Sequence, residues 1–201
     1  MKRSFQIKMP KQEVFNRELV LQQASNVFHH KGYNATSMQD LVDATGLNRS
    51  SIYNSFDSKL KLYLECLNSY QSKYQNIMHN ILIKAENPFN AIALIFKKYV
   101  EEIIVDKDRK GCLITNCKSE MANQDVTVNY FLHNNQKETL ALFEDLVKKG
   151  QEEQLINTNK HPKAYGMYLF SSIQGLRMTG ILNQNEHELM ELVHITLDTL
   201  K

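Results

Sequence analysis

The sequence predicts an all-α fold, and three observations carry the prediction. All three prolines, Pro10, Pro88 and Pro162, stand where helices would start. Gly32, Gly46 and Gly150 each follow a helix-patterned stretch, as stop signals do. Apolar residues recur at spacings of three and four, with no strand-like alternation competing.

The first helix is marked by Val20, Ala24, Val27 and Phe28. Residues 31–56 then build two short helices and a tight turn from local chemistry alone. Ser37 with Asp40 resembles a capping box over a helix whose inner face is Met38, Leu41 and Val42. Gly46 ends that helix because glycine adopts positive φ without a Cβ penalty, and Leu47 is placed to be buried in the turn. Asn48 caps a second helix with Ile52 and Phe56 on its inner face. This is a helix-turn-helix. The outward side of its second helix carries Arg49, Ser50, Ser51 and Asn54, with no acid among them, which suits base edges in a major groove. Tyr53 and Lys59 are better placed for phosphates, Lys59 beside a helix N-terminus that itself favours an anion. Thr36 is expected to join them in fixing register, with Ser37 and Asn48 completing the candidate DNA-binding set.

Leu60, Leu64, Leu67, Tyr74, Met78 and Ile81 continue the helical spacing. A single helix over 57–85 would run roughly 42 Å, long enough to join two domains. Further helices are expected at 89–105, 112–122, 125–150, 162–182 and 186–200, broken at 106–111, near Asn123, at 151–161 and at 183–185. No internal repeat is present, which argues against a solenoid.

Composition narrows the function. At 201 residues, 42% hydrophobic and 23% charged, the chain is an ordinary globular one of one or two domains. Net charge is +2, and it is uneven: residues 1–60 hold eight Lys/Arg against five Asp/Glu, and residues 61–201 sixteen against seventeen. The basic end is the one holding the helix-turn-helix. Three cysteines are too few, and odd in number, for a disulfide framework, so a reducing, cytoplasmic setting is expected. Residues 1–12 contain no apolar leader core, and the longest apolar run, 91–96, falls far short of the ~20 residues that span a bilayer.

No Gly-rich phosphate loop, nucleophile elbow or metalloprotease His pair occurs, so an enzyme is disfavoured; it would need a convergent acid–base pair in the helical body. His187, Glu191 and His194 fall at helical spacing, but no Cys or Asp accompanies them, and neither a metal nor a cofactor is expected.

Phe28, Lys31, Gly32, Tyr33, Thr36, Ser37, Gly46, Leu47, Tyr53, Phe56, Ser58 and Lys59 together resemble, in order and spacing, the N-terminal pattern of the TetR family of bacterial transcriptional regulators, over about residues 17–62. Val42 departs from the small residue usual there, and Asn48 from the frequent Ser. The resemblance implies a homodimer of all-α subunits. Residues 1–60 would be a DNA-binding head of three helices plus the start of a fourth, and 61–201 an effector-binding body dimerising through its last two long helices. It further implies a ligand-responsive regulator, with repression the expected mode, on a palindromic double-stranded operator. Tyr74, Met78, Phe96, Tyr99, Cys112, Met121 and Tyr168 are candidates for the wall of a small-molecule site.

Gly111-Cys112-Leu113 resembles a helix opening in a TetR subgroup, some members of which sense electrophiles or oxidants. Lys107, Arg109, Lys110, Lys118 and a helix N-terminus would favour a Cys112 thiolate, against Asp106 and Asp108. Control by thiol modification there, or by a partner protein, is the alternative to a reversible ligand. Cys117 lies roughly 140° around the helix from Cys112, which disfavours a disulfide between them while the helix persists.

Ala164, Ser171 and Gly175 put small residues on one helix face, as a partner helix in a dimer requires, with relief of crowding inside one subunit the alternative use of Gly175. Lys2, Arg3, Lys8 and Lys11 suit either a DNA-tracking arm or a solvated tail.

Overall fold

Short polar side chains set most of the helix starts. In the computed structural model, which describes residues 15–201, Asn16 accepts from the Leu19 N–H to open α1 (Arg17–Lys31). Ser37 and Asp40 close a reciprocal capping box on α2 (Met38–Thr45). Asn48 caps α3 (Arg49–Phe56), and Ser58 caps α4 (Lys59–Lys84). Proline occupies the opening of α5 (Pro88–Val105) and α8 (Pro162–Leu182), behind Asn87 and His161. Asp125 caps α7 (Val126–Glu152) and Asn185 caps α9 (Glu186–Asp198). The exception is α6 (Leu113–Met121), whose N-cap is a cysteine, Cys112. Pro10, Lys2, Arg3, Lys8 and Lys11 lie outside the described residues.

The described chain is all-α, and each expected helix is present with ends shifted by a residue or two. The turn at Gly46 has φ 67°, the left-handed conformation expected of it, and the Gly46 N–H donates to the Val42 carbonyl at 2.9 Å.

Burial sorts the helices into two cores. The lower one gathers Ala24, Phe28, Leu41, Ile52 and Phe56 from α1–α3, and Leu62, Tyr63, Cys66 and Leu67 from α4. It also takes in Leu113, Cys117 and Met121 from α6 and Val128, Phe131 and Leu132 from α7, so the head's core runs well past residue 60. The upper core packs Ile92, Ile95 and Phe96 of α5 against Phe143 and Val147 of α7, Leu169 and Ile173 of α8, and Leu189 and Val193 of α9. At Gly166 a Cβ would lie 3.1 Å from the Glu144 backbone nitrogen, so α7 and α8 meet backbone to backbone there.

The outer face of α8 is left open. Met167, Tyr168, Met178 and Leu182 are exposed along it, and Leu192 and Ile195 are exposed on α9. No atom of the described residues lies within 4 Å of the position a Cβ on Gly175 would take, so this glycine relieves no crowding among them.

Candidate functional site

The recognition pair is rigid because its polar groups are used twice. Ser37 Oγ accepts from the Asp40 N–H at 3.1 Å and donates to Asp40 Oδ2 at 2.8 Å. The Lys31 ammonium reaches the same carboxylate at 2.6 Å. Those bonds hold the Asp40 carboxyl down at about 2, with the Lys31 bond the largest cause. On α3, Ile52 and Phe56 face the core. Arg49, Ser50, Tyr53 and Asn54 are exposed, and their spacing puts them on one side of the helix, with no acid on it. Ser51 is half-buried; its N–H donates to Asn48 Oδ1 at 2.8 Å, leaving the Asn48 amide N–H groups toward solvent. Arg17 staples the head together, its guanidinium 2.7 Å from Glu65 and 4.3 Å from the Phe56 ring centre.

Two expected phosphate contacts turn out to be internal. Thr36 is 1% exposed and donates its hydroxyl to the Gly32 carbonyl at 2.6 Å, so the turn needs it and DNA cannot reach it. Lys59 donates to the carbonyls of Tyr33 and Thr36, both at 2.8 Å, with its ammonium 4.3 Å from the Tyr33 ring centre. Burial pushes its pKa down, Glu120 opposing. Lys59 is therefore a brace from the start of α4 to the loop between α1 and α2. The same loop is held from the body: Glu120, on α6, accepts from the N–H groups of Tyr33 at 2.8 Å and Asn34 at 2.7 Å.

In the body, a cavity of about 280 Å³ opens between α4, α5, α6, α7 and α8. Tyr74, Met78, Ile95, Tyr99, Phe143 and Ile173 supply apolar wall; Thr115, Lys118, Gln174 and Arg177 supply polar groups. Tyr70, Tyr74, Tyr99 and Arg177 separate it from a second cavity of about 580 Å³, which reaches Cys112, His29 and Ser25. The Arg177 guanidinium stacks 4.1 Å from the Tyr99 ring centre and 5.2 Å from that of Tyr74, and it donates to Cys112 Sγ. Tyr70 donates to the Tyr74 hydroxyl at 3.2 Å, and Tyr74 to Glu102 Oε2 at 2.5 Å. Burial pushes the Cys112 thiol up, but the Arg177 charge foremost, with the Thr115 N–H, outweighs it and holds the thiol below its ordinary value. The loop cations expected in that role are not its cause, and Lys110 pairs with Asp108 at 3.1 Å.

The comparisons with known proteins bear on this arrangement. Residues 20–66 match the bacterial regulatory proteins of the tetR family. YezE, an uncharacterized HTH-type transcriptional regulator of Bacillus subtilis (strain 168), is 26% identical over 193 residues, 96% of this chain and 100% of that protein. The HTH-type transcriptional repressor DhaR of Mycobacterium sp. (strain GP1) is 24% identical, over 92% of this chain and 91% of that one. Residues 20–66 are a TetR-family DNA-binding domain.

The TetR-family fold extends over the body as well. A cysteine mutant of the regulator CifR, complexed with 26-bp double-strand operator DNA, superposes with TM-score 0.84 at 20% identity, covering 96% of this chain and 100% of that one. The reduced form of Escherichia coli NemR does so with TM-score 0.83 at 15% identity, over 92% and 96%. The protein is thus a transcriptional regulator and not an enzyme, and no helix among the described residues is long and apolar enough to cross a membrane.

Of the residues expected at a TetR-type ligand site, Tyr74, Met78 and Tyr99 line the smaller cavity, and Tyr74, Tyr99 and Cys112 the larger. Phe96 is instead packed in the upper core and Met121 in the lower, while Tyr168 lies exposed on the outer face of α8. Helical spacing fixes a residue's side of its helix; it does not say which neighbour covers that side. Arg177, Lys118 and Glu120 were not among the expected site residues. A signal existed for Arg177: it is the sole charge of α8 beyond Lys163, and a charge on an otherwise apolar helix needs a partner.

Proposed function

We propose that this protein is a cytoplasmic, ligand-responsive repressor that binds a palindromic double-stranded operator as a homodimer. The exposed, acid-free face of α3 carries the reading: Arg49, Ser50, Ser51 and Asn54 contact bases, and Tyr53 and the N-terminus of α4 contact phosphate. Residues 1–60 form the DNA-binding unit and 61–201 the effector and dimer unit. The exposed apolar stripe of α8, open at Gly175, with Leu192 and Ile195 of α9, forms the dimer contact.

The effector occupies the smaller cavity. Two of its wall residues, Thr115 and Lys118, sit on α6, and Glu120 of the same helix holds the loop ahead of the recognition pair. An effector that binds better when α6 is shifted therefore draws the heads out of register with the operator.

Selection from a random duplex pool, followed by sequencing, tests this. Enrichment of a two-fold symmetric site is expected; enrichment without symmetry, or none, counts against the proposal. Thiol control at Cys112 is a second reading, favoured by the Arg177 contact that lowers its pKa. Under it, operator release by an electrophile disappears in Cys112→Ser.

A further inference from the structure

The polar end of the smaller cavity offers donors and almost nothing else. The Lys118 ammonium lies 4.8 Å from the Phe170 ring centre and makes no ion pair among the described residues. Thr115 donates to Gln174 Oε1 at 3.2 Å, which occupies one of that oxygen's two lone pairs and leaves the amide N–H groups to donate. Arg177 faces the same space and repels Lys118. The one acid on the lining, Glu138, is exposed and is taken up by Gln71 at 2.8 Å and Gln75 at 3.1 Å. The rest of the wall is mainly hydrocarbon, including Met78, Leu142 and Phe143.

We propose that this cavity takes an amphipathic organic anion: an aryl carboxylate whose carboxylate sits on Lys118 and Gln174 and whose ring packs against Met78, Leu142 and Phe143. The proposal rests on the reading of this cavity as the effector site and gives that effector a chemical class. An anion there supplies the partner Lys118 lacks and eases the repulsion between Lys118 and Arg177. A cationic ligand would add a third positive charge, and a fully apolar one would cover the donors without bonding them. Size limits the ring system. A dry cavity of about 150 Å³ holds a benzene, so the 280 Å³ here suits a ligand of roughly a dozen heavy atoms.

Calorimetric titration of the full chain with cinnamate and with cinnamamide, which have the same shape, tests the charge requirement directly. Cinnamate is expected to bind at least about tenfold more tightly than the amide. Lys118→Gln should abolish that preference and Lys118→Arg should restore it. Equal affinities in the wild type, a preference that survives Lys118→Gln, or no binding of either at millimolar concentration would overturn the proposal. Equal affinities would leave the cavity a ligand site without anion selection. An operator-release assay separates the underlying reading. Cinnamate that binds through Lys118 without releasing DNA upholds the anion site and removes its role as effector site; release by the amide alone upholds the effector site and removes the anion.

Discussion

The recognition surface of the head and the cavity of the body handle positive charge in opposite ways. In the head, Arg49 stands in water on a helix face that carries nothing else charged, and Lys31 and Lys61 are exposed and paired with Asp40 and Asp57. In the body, Arg177 and Lys118 are drawn inside, one against a thiol and two rings, the other against a ring alone. A solvated cation costs little to keep and is screened by salt, so it acts chiefly when a polyanion arrives. A partly enclosed cation has shed part of its water, and its energy depends on whatever else occupies the space. The head is therefore built to read and the body to respond. Glu120 joins the two, because α6 lines the cavity and grips the loop ahead of the recognition pair.

The comparison breaks first at Arg177. Arg177→Leu removes the partner of Cys112 and the cation over Tyr74 and Tyr99. Breaking a buried pair costs about 3–5 kcal/mol; with Arg177 half-buried, a loss of about 2–3 kcal/mol in urea unfolding is expected. The pH dependence has a definite sign. The folded Cys112 pKa is lowered, so its contribution is fully present above the unfolded thiol value of ~8.5 and is lost as pH falls through the folded value. The stability gap between wild type and variant should accordingly widen from neutral pH toward pH ~9. A gap that does not change with pH would mean that Cys112 stays protonated and that Arg177 serves only to pack.

Next in size is Arg49→Ala, the matching deletion in the head. It is expected to lose about 1–3 kcal/mol of operator affinity and to relax base preference, with folding stability nearly unchanged. Lys59→Ala sharpens the contrast. Its ammonium is already bound to the Tyr33 and Thr36 carbonyls, so the loss of affinity should come with an almost unchanged salt slope. A slope lower by about one would instead make Lys59 a phosphate contact.

The two regions also differ in how far their chemistry could be read in the sequence. Ser37–Asp40, Gly46 and Asn48 act on partners within four residues, so caps, turn and exposed face all follow from local order. Helix positions in the body were equally legible from Pro88, Pro162 and the apolar spacing. The cavity was not, because its wall comes from five helices and is decided by which faces meet. Phe96, Met121 and Tyr168 had the right residue type and spacing, yet pack in the cores or face outward. Thr36 and Lys59 turn inward for a similar reason: their hydrogen bonds close the turn itself. The grip of Glu120 on residues 33 and 34 spans nearly ninety positions, and no local pattern announces it.

Glu120→Ala tests the link between the regions. Two backbone N–H groups lose a charged acceptor at a partly solvated site, so a loss of about 1–2 kcal/mol in stability is expected. The informative readout is coupling. If α6 carries the signal, the variant should still bind ligand and operator but release less operator per bound ligand. Full coupling in the variant would move the signal to another element.

The smallest effect is expected at Asp40, and it returns to the contrast between exposed and enclosed charge. Its carboxyl is held at about 2 by the Lys31 bond, then by the Ser37 N–H and hydroxyl. With the folded value below the unfolded one of ~3.9, the contribution is present above that unfolded value and lost as pH falls through about 2. Thermal melts of wild type and Asp40→Asn should differ modestly at neutral pH and converge in that acid window. Because the Lys31–Asp40 pair is exposed, its share should also shrink in high salt, whereas the alkaline contribution of Cys112 and Arg177, enclosed between the two cavities, should not. Equal salt sensitivity at both ends of the pH scale would mean that water reaches Arg177 as freely as Lys31, and the distinction between a reading head and a responding body would lose its electrostatic basis.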